Sequence, residues 1–249
     1  MSRILAICQY RGTNYQGWQK QINAPSVQEE IEKVISKILN KKTTIYGSGR
    51  TDGGVHALGQ TFHFDIDKEE IDLSLLKHSI NCLLPNDIQI LDLSRVDDDF
   101  HARYQVENKI YQYRLHLGRA SVFDNEYVME VYEPFDIEKF KTIINLFVGK
   151  HNFQNFTSKE EDEDNFIRTI NSIDFKQDNN FITIILNGDG FMRYEIRYII
   201  GASIAYAKGQ IDKEYIIERL DKNSSKRNII SYKAEPKGLF LQEVKYKKL

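Results

Sequence analysis

Residues 47–57 read Gly-Ser-Gly-Arg-Thr-Asp-Gly-Gly-Val-His-Ala and form the most informative segment of the chain. The four glycines permit positive φ angles and close approach by another backbone, so the segment can fold tightly or admit a bulky ligand. Arg50 and Asp52 lie two residues apart between small side chains. A carboxylate held beside a guanidinium stays ionised, the form in which it acts as a nucleophile or base. The same residues also suit a purely structural turn, because Asp-Gly is a common hairpin pair.

Predicted helices and strands surround this segment. Ser26-Val27-Gln28-Glu29 fits a capping box, and the apolar residues after it repeat at helical spacing, so a helix is predicted to follow Ser26. Asp136 is the expected N-cap of a helix over 137–148. The other predicted helices cover 73–84, 194–208 and 213–220, and the predicted strands cover 3–10, 43–47, 60–66, 88–96, 104–117, 168–175, 181–187 and 239–246.

The order of these elements favours an α+β fold made of two similar halves of split β-α-β, or ferredoxin-like, type. Residues 1–104 form the expected N-terminal half, which contains the glycine-rich segment, and residues 105–249 form the expected C-terminal half. The acidic run 158–165 is too polar to pack, and we expect it to be a mobile loop.

The composition is that of an ordinary soluble protein. The chain has 249 residues, of which 41% are hydrophobic and 28% charged, enough for a real core. No apolar run approaches the length of a membrane span, and the N-terminus lacks the profile of a signal peptide. Two cysteines, Cys8 and Cys82, are too few for a disulfide scaffold. These features favour a cytoplasmic protein without a membrane partner.

The charge is uneven along the chain. The formal net charge is −2, but residues 1–60 carry 8 Lys/Arg against 4 Asp/Glu, and residues 166–249 carry 15 against 10. Residues 61–99, by contrast, carry 3 Lys/Arg against 10 Asp/Glu. Local basic patches, rather than the total charge, bind phosphates, so this pattern suits an RNA partner. Ordinary surface patchiness gives the same pattern.

A second segment suited to nucleic acid lies on the predicted strand 104–117. Strand geometry places Lys109, Tyr111 and Tyr113 on one face. An aromatic ring beside a cation can stack on a nucleobase, because such stacking tolerates any base. Aromatic-rich strands are also commonly part of a hydrophobic core.

A third segment opens the predicted helix 194–208. Arg193 and Arg197 are four residues apart, so a helix would place them on one face. Cations near a helix N-terminus do not suit the helix dipole, which suggests an anionic partner. The alternative is a solvated charged face, to which Glu195 contributes.

These segments resemble the signatures of the tRNA pseudouridine synthase A family. Residues 49–57 resemble the motif in which the aspartate matching Asp52 is the catalytic residue. Residues 109–113 resemble the motif Lys/Arg-x-Tyr-x-Tyr, and Tyr111 matches its base-stacking tyrosine. Residues 190–201 resemble an aromatic followed by Met-x-Arg-x-Ile-x-Gly, where Arg197 matches the arginine that pairs with the catalytic aspartate. Ile196 departs from the usual methionine-containing stretch.

Three further blocks extend the resemblance over residues 10–241. Residues 10–19 resemble Tyr-x-Gly-Thr-x-Tyr-x-Gly-Trp-Gln, and residues 100–103 are Phe-His-Ala-Arg, as in the family. Residues 236–241 resemble the closing Pro-x-Gly-Leu-Tyr/Phe-Leu, in which Leu239 matches a residue that lines the base pocket. Gly53 and Glu235 each stand where alanine is common, and these departures bear on the choice of substrate.

The resemblance implies a fold, a reaction and a set of site residues. The fold is that of the pseudouridine synthases, with two ferredoxin-like halves joined in a largely antiparallel mixed sheet flanked by helices and one active-site cleft shared by the halves. The reaction isomerises uridine 38, 39 or 40 of the tRNA anticodon arm, in a homodimer. The implied catalytic residues are Asp52, Tyr111 and Arg197, and the expected substrate-binding residues are Arg50, His56, Lys109, Tyr111, Arg193 and Leu239.

Two alternatives stay open. One is a paralogue with the same chemistry that acts on ribosomal RNA or on other tRNA positions, for which the acidic run and Gly53 leave room. The other is a non-catalytic RNA-binding module of the same fold. The implied reaction needs no metal or nucleotide cofactor, in keeping with six histidines that lack zinc spacing and a chain without P-loop or Rossmann glycines.

Overall fold

The computed structural model describes residues 2–67, 71–158, 165–220 and 227–247. The chain divides into two compact units, the first made of residues 1–109 and 240–249 and the second of residues 110–239. The elements are, in order, β1 (Ser2–Tyr10), α1 (Val27–Leu39), β2 (Tyr46–Gly47), β3 (His56–Ile66), α2 (Leu73–Leu83), β4 (Ile88–Val96), β5 (Val106–Leu117), β6 (Met129–Val131), α3 (Ile137–Ile144), β7 (Gly149–Asn152), β8 (Ile167–Asp178), β9 (Phe181–Gly188), α4 (Glu195–Ala207), α5 (Lys213–Ile217) and β10 (Leu239–Tyr246).

The first unit has the strand order β4-β1-β3-β10. β1 is antiparallel to both β3 and β4, β10 runs parallel to β3, and the short β2 pairs with the far part of β3. Both ends of the segment 47–57 are therefore held by this sheet, since β2 leads into the segment and β3 leaves it. The inner faces of these elements supply a dry core, which includes Ile4, Ala6, Ile31, Ile35, Phe62 and Phe64.

The second unit has the strand order β5-β9-β8-β7. The β7–β8 and β8–β9 pairs are antiparallel, and β6 runs parallel to β5. Helix α4 packs against α3 and is buried along nearly its whole length. In each unit helices accompany mostly antiparallel strands, and the predicted α+β class is confirmed.

The helix starts follow local capping chemistry. The Oγ of Ser26 accepts a hydrogen bond from Glu29 N at 3.3 Å, and Asp136 accepts from the two backbone N–H groups at the start of α3. α4 begins one residue later than the 194–208 prediction, because Tyr194 has a left-handed backbone with φ of 64°. Two short strands, β6 and β7, were not predicted. Within the acidic run 158–165, residues 159–164 lie outside the described residues.

Candidate active site

The segment 47–57 is fastened to the loop that follows β1. Trp18 N donates to Thr51 O at 3.1 Å, and Gly54 N donates to Tyr15 O at 3.2 Å. Gly17 makes this approach possible, because its φ is +102° and a Cβ there would lie 2.5 Å from Thr51 O. These backbone contacts bracket position 52 on both sides, so the loop cannot shift without breaking them.

Asp52 and Arg50 occupy different environments on this loop. Asp52 is half-buried, and its carbonyl accepts from Val55 N at 3.1 Å in a tight turn. Arg50 is exposed and forms no hydrogen bond or ion pair with any residue that the structure describes. The expectation of the Asp52 carboxylate held beside a guanidinium stays a prediction.

His56 is buried at the start of β3. Its Nδ1 accepts from Gly12 N at 3.1 Å, and its ring stacks on that of Phe240 with centroids 4.6 Å apart. A side chain at position 12 would overlap the Val55 carbonyl, so Gly12 permits this close approach. These contacts hold the C-terminal end of the loop. The expected contact of His56 with substrate stays a prediction.

Lys109 holds the N-terminal end of the same loop. Its Nζ donates to Ser48 O at 3.0 Å, and a Cβ at position 49 would collide with that ammonium. Burial, aided by the charge of Arg103, lowers the pKa of Lys109 to about 8. The buried amide of Gln60, which the sequence did not suggest, donates to Gly49 O at 3.2 Å. Two successive carbonyls before Arg50 are thus bound by side chains.

The second unit places Tyr111 on β5, nearly buried and edge-on to Phe191 with ring centroids 5.3 Å apart. Tyr113, on the same face, is core: its hydroxyl donates to Glu235 O at 2.6 Å, and burial raises its pKa. Leu239, the first residue of β10, is also buried. It follows Gly238, where a Cβ would meet the Tyr113 ring and the Arg114 carbonyl.

Arg197 is tied to Ala234 by two hydrogen bonds. Its Nε donates to Ala234 O at 2.8 Å, and Ala234 N donates to Arg197 O at 2.9 Å. Arg193 precedes α4, so the expectation that a helix places the two arginines on one face is wrong. Both guanidinium groups nevertheless lie about the Tyr194 ring, at 4.9 and 5.0 Å from its centroid, and Lys233 Nζ lies 4.4 Å from it.

Glu195 is the residue whose setting differs most from its sequence interpretation. Its carboxyl is fully buried rather than part of a solvated face, and its Oε2 accepts from Met192 N at 2.8 Å. Burial raises its pKa to about 8. In the register in which Arg197 takes the arginine of Met-x-Arg, this glutamate occupies the methionine position. The departure from the family pattern is therefore Glu195 in place of methionine, and Ile196 lies at a position where the pattern allows any residue.

No group of three or more His, Cys, Asp or Glu side chains suited to a metal occurs among the described residues. Within those residues no helix is long and apolar enough to cross a membrane. Asp52, the tyrosine on β5 and the arginines are acid–base, stacking and anion-binding groups, and they are the candidate functional residues.

The α+β fold, the glycine-rich aspartate loop and the tyrosine and arginine motifs define a class of RNA-modifying enzyme. A family model described as tRNA pseudouridine synthase matches residues 6–105 and 143–247. The chain belongs to this family, and the predicted isomerase class is confirmed at that level.

Relatives named tRNA pseudouridine synthase A match along the whole chain. The one from Clostridium kluyveri is 37% identical over 248 residues, 99% of this chain and 100% of its own. The one from Mycoplasma genitalium is 36% identical over 249 residues and all of both chains. A distant likeness links 80% of this chain to 53% of a chain in a solved Cbf5-Nop10-Gar1 complex, at 11% identity and a TM-score of 0.37.

Proposed function

We propose that this protein converts uridine to pseudouridine at positions 38, 39 and 40 of the tRNA anticodon arm, as a homodimer in the cytoplasm. The observation that carries the proposal is the family match, which includes the intact motif around Asp52. In this isomerisation the bond from uracil N1 to the sugar C1′ breaks and a bond from C5 to C1′ forms. N1 gains a proton and C5 loses one, so nothing is added or removed.

The proposed catalytic residue is Asp52. The backbone contacts of its loop support this role, because a group that must meet one atom of a bound nucleotide needs a fixed position. The target base must leave its stack to be reached, which costs a few kcal/mol. The guanidinium of Arg50 is exposed and makes no ion pair with a described residue, so it is suited to bind a phosphate or to occupy the space that the base leaves.

The other proposed roles follow the two motifs of the second unit. Tyr111 stacks on the extruded base, and Arg197 keeps the Asp52 carboxylate ionised. Leu239 lines the pocket for the base. Arg193 binds the RNA backbone, a role supported by its exposure next to the cations gathered around Tyr194. His56 and Lys109, whose contacts hold the two ends of the loop, contribute to substrate binding.

The test is the pair Asp52→Ala and Asp52→Asn. We expect both variants to bind tRNA with about the affinity of the wild-type protein and to form no pseudouridine, measured as release of tritium from C5-labelled uridine in a tRNA transcript. Asp92→Asn, at an exposed position of β4, is the matched control and should turn over normally. Turnover by Asp52→Ala within tenfold of wild type would sink the proposed mechanism.

The choice of RNA needs a second experiment. Pseudouridines are mapped in tRNA and ribosomal RNA from cells that lack the gene, with and without its restoration. Loss and return confined to tRNA positions 38–40 supports the proposal. Loss at ribosomal positions or at other tRNA positions favours the paralogue, and no loss anywhere favours a non-catalytic RNA-binding module.

A further inference from the structure

Four aromatic rings of the first unit form a continuous group, which we name the ring cluster: Tyr46, His63, His101 and Tyr104. Tyr46 is the residue of β2 directly before the glycine-rich segment, and it stacks on its strand partner His63 at 5.1 Å. His101 and Tyr104 lie 4.3 Å apart between ring centroids. The two histidine rings meet edge to face at 4.7 Å and join the pairs.

Hydrogen bonds hold the ring cluster in place. Ala102 N donates to His63 Nδ1 at 3.2 Å, and Arg103 N donates to His101 Nδ1 at 3.1 Å. Tyr104 N donates to His101 O at 3.1 Å, which closes a tight turn under the ring. The two histidine rings are therefore held in position, and they offer the tyrosine rings a fixed surface to pack on before any ligand arrives, which reduces the entropy that binding would cost.

The two tyrosines of the ring cluster are open to solvent. Tyr104 is 76% exposed and Tyr46 is 49% exposed. An aromatic ring buries a large apolar area when it is covered by a ligand. A group of neighbouring aromatic rings exposed to solvent is therefore typical of a binding surface.

Unpaired charges of both signs lie near the ring cluster, since the carboxylates of Asp98 and Asp99 act on Arg3, whose own charge reaches both histidines. Burial lowers the pKa of His63 to about 4, and burial and the charge of Arg3 lower that of His101, so both imidazoles are neutral at pH 7. Arg3 is paired with Asp65 at 2.8 Å. The guanidinium of Arg103 is exposed and makes no ion pair with a described residue. Arg103 is thus a free cation beside the rings.

The ring cluster is connected to the candidate catalytic loop. The charge of Arg103 reaches Lys109, whose ammonium binds the carbonyl of Ser48. Arg50, an exposed cation that makes no ion pair with a described residue, lies two residues further along that loop. Tyr46 leads into the same loop at its N-terminal end. Tyr46 and Arg50 therefore lie directly before and on the candidate catalytic loop, and Arg103 lies near the lysine that binds this loop.

We propose that the ring cluster, with Arg103, is a second nucleotide-binding surface of the enzyme, on which Tyr104 and Tyr46 stack on unpaired bases next to the target uridine. The ligand class is single-stranded RNA, because exposed ring faces beside a guanidinium match unstacked bases and their phosphates. A duplex would hide those base faces. This inference rests on the proposed function, in which the substrate is an RNA loop with one base extruded.

The experiment measures anticodon-arm RNA binding and turnover for the double variant Tyr46→Ala/Tyr104→Ala. We expect its Kd and KM to rise about a hundredfold with kcat unchanged, about tenfold for each of the two lost stacking contacts. Tyr104→Phe keeps the ring and should bind like wild type. The logarithm of the binding constant falls linearly with the logarithm of the salt concentration. Arg103→Gln should make this slope less steep by about 1. The matched control is Phe123→Ala, which removes a ring of the second unit that is 85% exposed.

A second arm uses RNA in which single unpaired nucleotides lack their base. At the contacted position the abasic RNA should bind wild-type protein about tenfold more weakly. The double variant should bind the abasic and the intact RNA equally.

The inference is overturned if the double variant binds intact RNA as Phe123→Ala does. It is also overturned if the double variant loses the oligomeric state seen for wild type by light scattering, because the ring cluster is then a subunit contact. Wild-type protein that binds RNA but makes no pseudouridine would instead overturn the proposed function.

Discussion

Glu195 is a carboxyl group that the fold keeps away from water. Burial raises its pKa to about 8, and the charges of Arg168 and Asp189 act in opposite directions with smaller effect. One carboxyl oxygen holds the Met192 N–H, and the other has no hydrogen-bond partner among the described residues. An ionised carboxylate in this site would be costly, so the neutral acid stabilises the turn that leads into α4 and Arg197.

The stability of the protein should therefore fall as the pH rises. The unfolded chain releases the Glu195 proton near pH 4.5, whereas the native state keeps it up to about pH 8. Because the native state binds the extra proton in that window, the free energy of unfolding decreases across it, by on the order of 4–5 kcal/mol. Glu195→Gln keeps an acceptor for Met192 N–H and should remove this pH dependence.

Urea unfolding at pH 5.5, 6.5 and 7.5 measures the effect of Glu195. The matched control is Glu214→Gln, an exposed glutamate in the first turn of α5, which should keep the wild-type slope. If wild type and Glu195→Gln lose stability in parallel from pH 5.5 to 7.5, the buried acid is not protonated in the native state.

At the level of elements, the loop 47–57 depends on two glycines in different surroundings. A Cβ at position 12 meets the rigid backbone of Val55, whereas a Cβ at position 49 meets the mobile tip of Lys109. Gly12→Ala should therefore lower the free energy of unfolding by about 3 kcal/mol, and Gly49→Ala by about 1 kcal/mol. Thermal and urea unfolding check both values. Gly190→Ala, where a Cβ has open space, is the control and should change little. Equal losses at positions 12 and 49 would contradict this account of the loop.

The elements that the sequence predicts well are those whose signals are local. α1 and α3 begin where Ser26 and Asp136 bind backbone N–H groups a few residues ahead. β3 begins at His56 rather than at Gln60, because its first residues pair with distant strands. The strands β6 and β7 have three and four residues, too few to show a period.

The residues of the candidate site also differ in whether a local sequence pattern predicts them. The loop motif gives Arg50 and Asp52 from the sequence alone. The hydrogen bond from Lys109 Nζ to Ser48 O joins segments far apart in the chain, and no local sequence pattern indicates it. The burial of Glu195 also depends on the surrounding tertiary structure, since a carboxylate in a first helical turn ordinarily faces solvent.

At the scale of the whole molecule, the first and the last strand belong to the same unit. The last strand, β10, lies next to β3 and contributes the buried residues Phe240, Leu241 and Val244. The sequence divides the halves between residues 104 and 105. The structure instead divides the chain between 109 and 110 and returns residues 240–249 to the first unit. A parallel neighbour at the far end of a chain leaves no local sequence signal, which is why a linear boundary misses it.

Phe240 tests the contribution of the last strand, because its ring stacks on His56 at the end of the candidate catalytic loop. Phe240→Ala removes a buried ring and should cost about 3–5 kcal/mol of the free energy of unfolding. It should also reduce the rate of pseudouridine formation in the fraction that stays folded, because His56 then loses the ring that fixes its orientation. Phe240→Leu restores volume without the stacked ring and should recover most of the stability but less of the activity. Unfolding midpoints and single-turnover rates, with exposed Phe123→Ala as control, separate the two effects. Full activity in folded Phe240→Ala would show that the loop keeps its geometry without the last strand's ring.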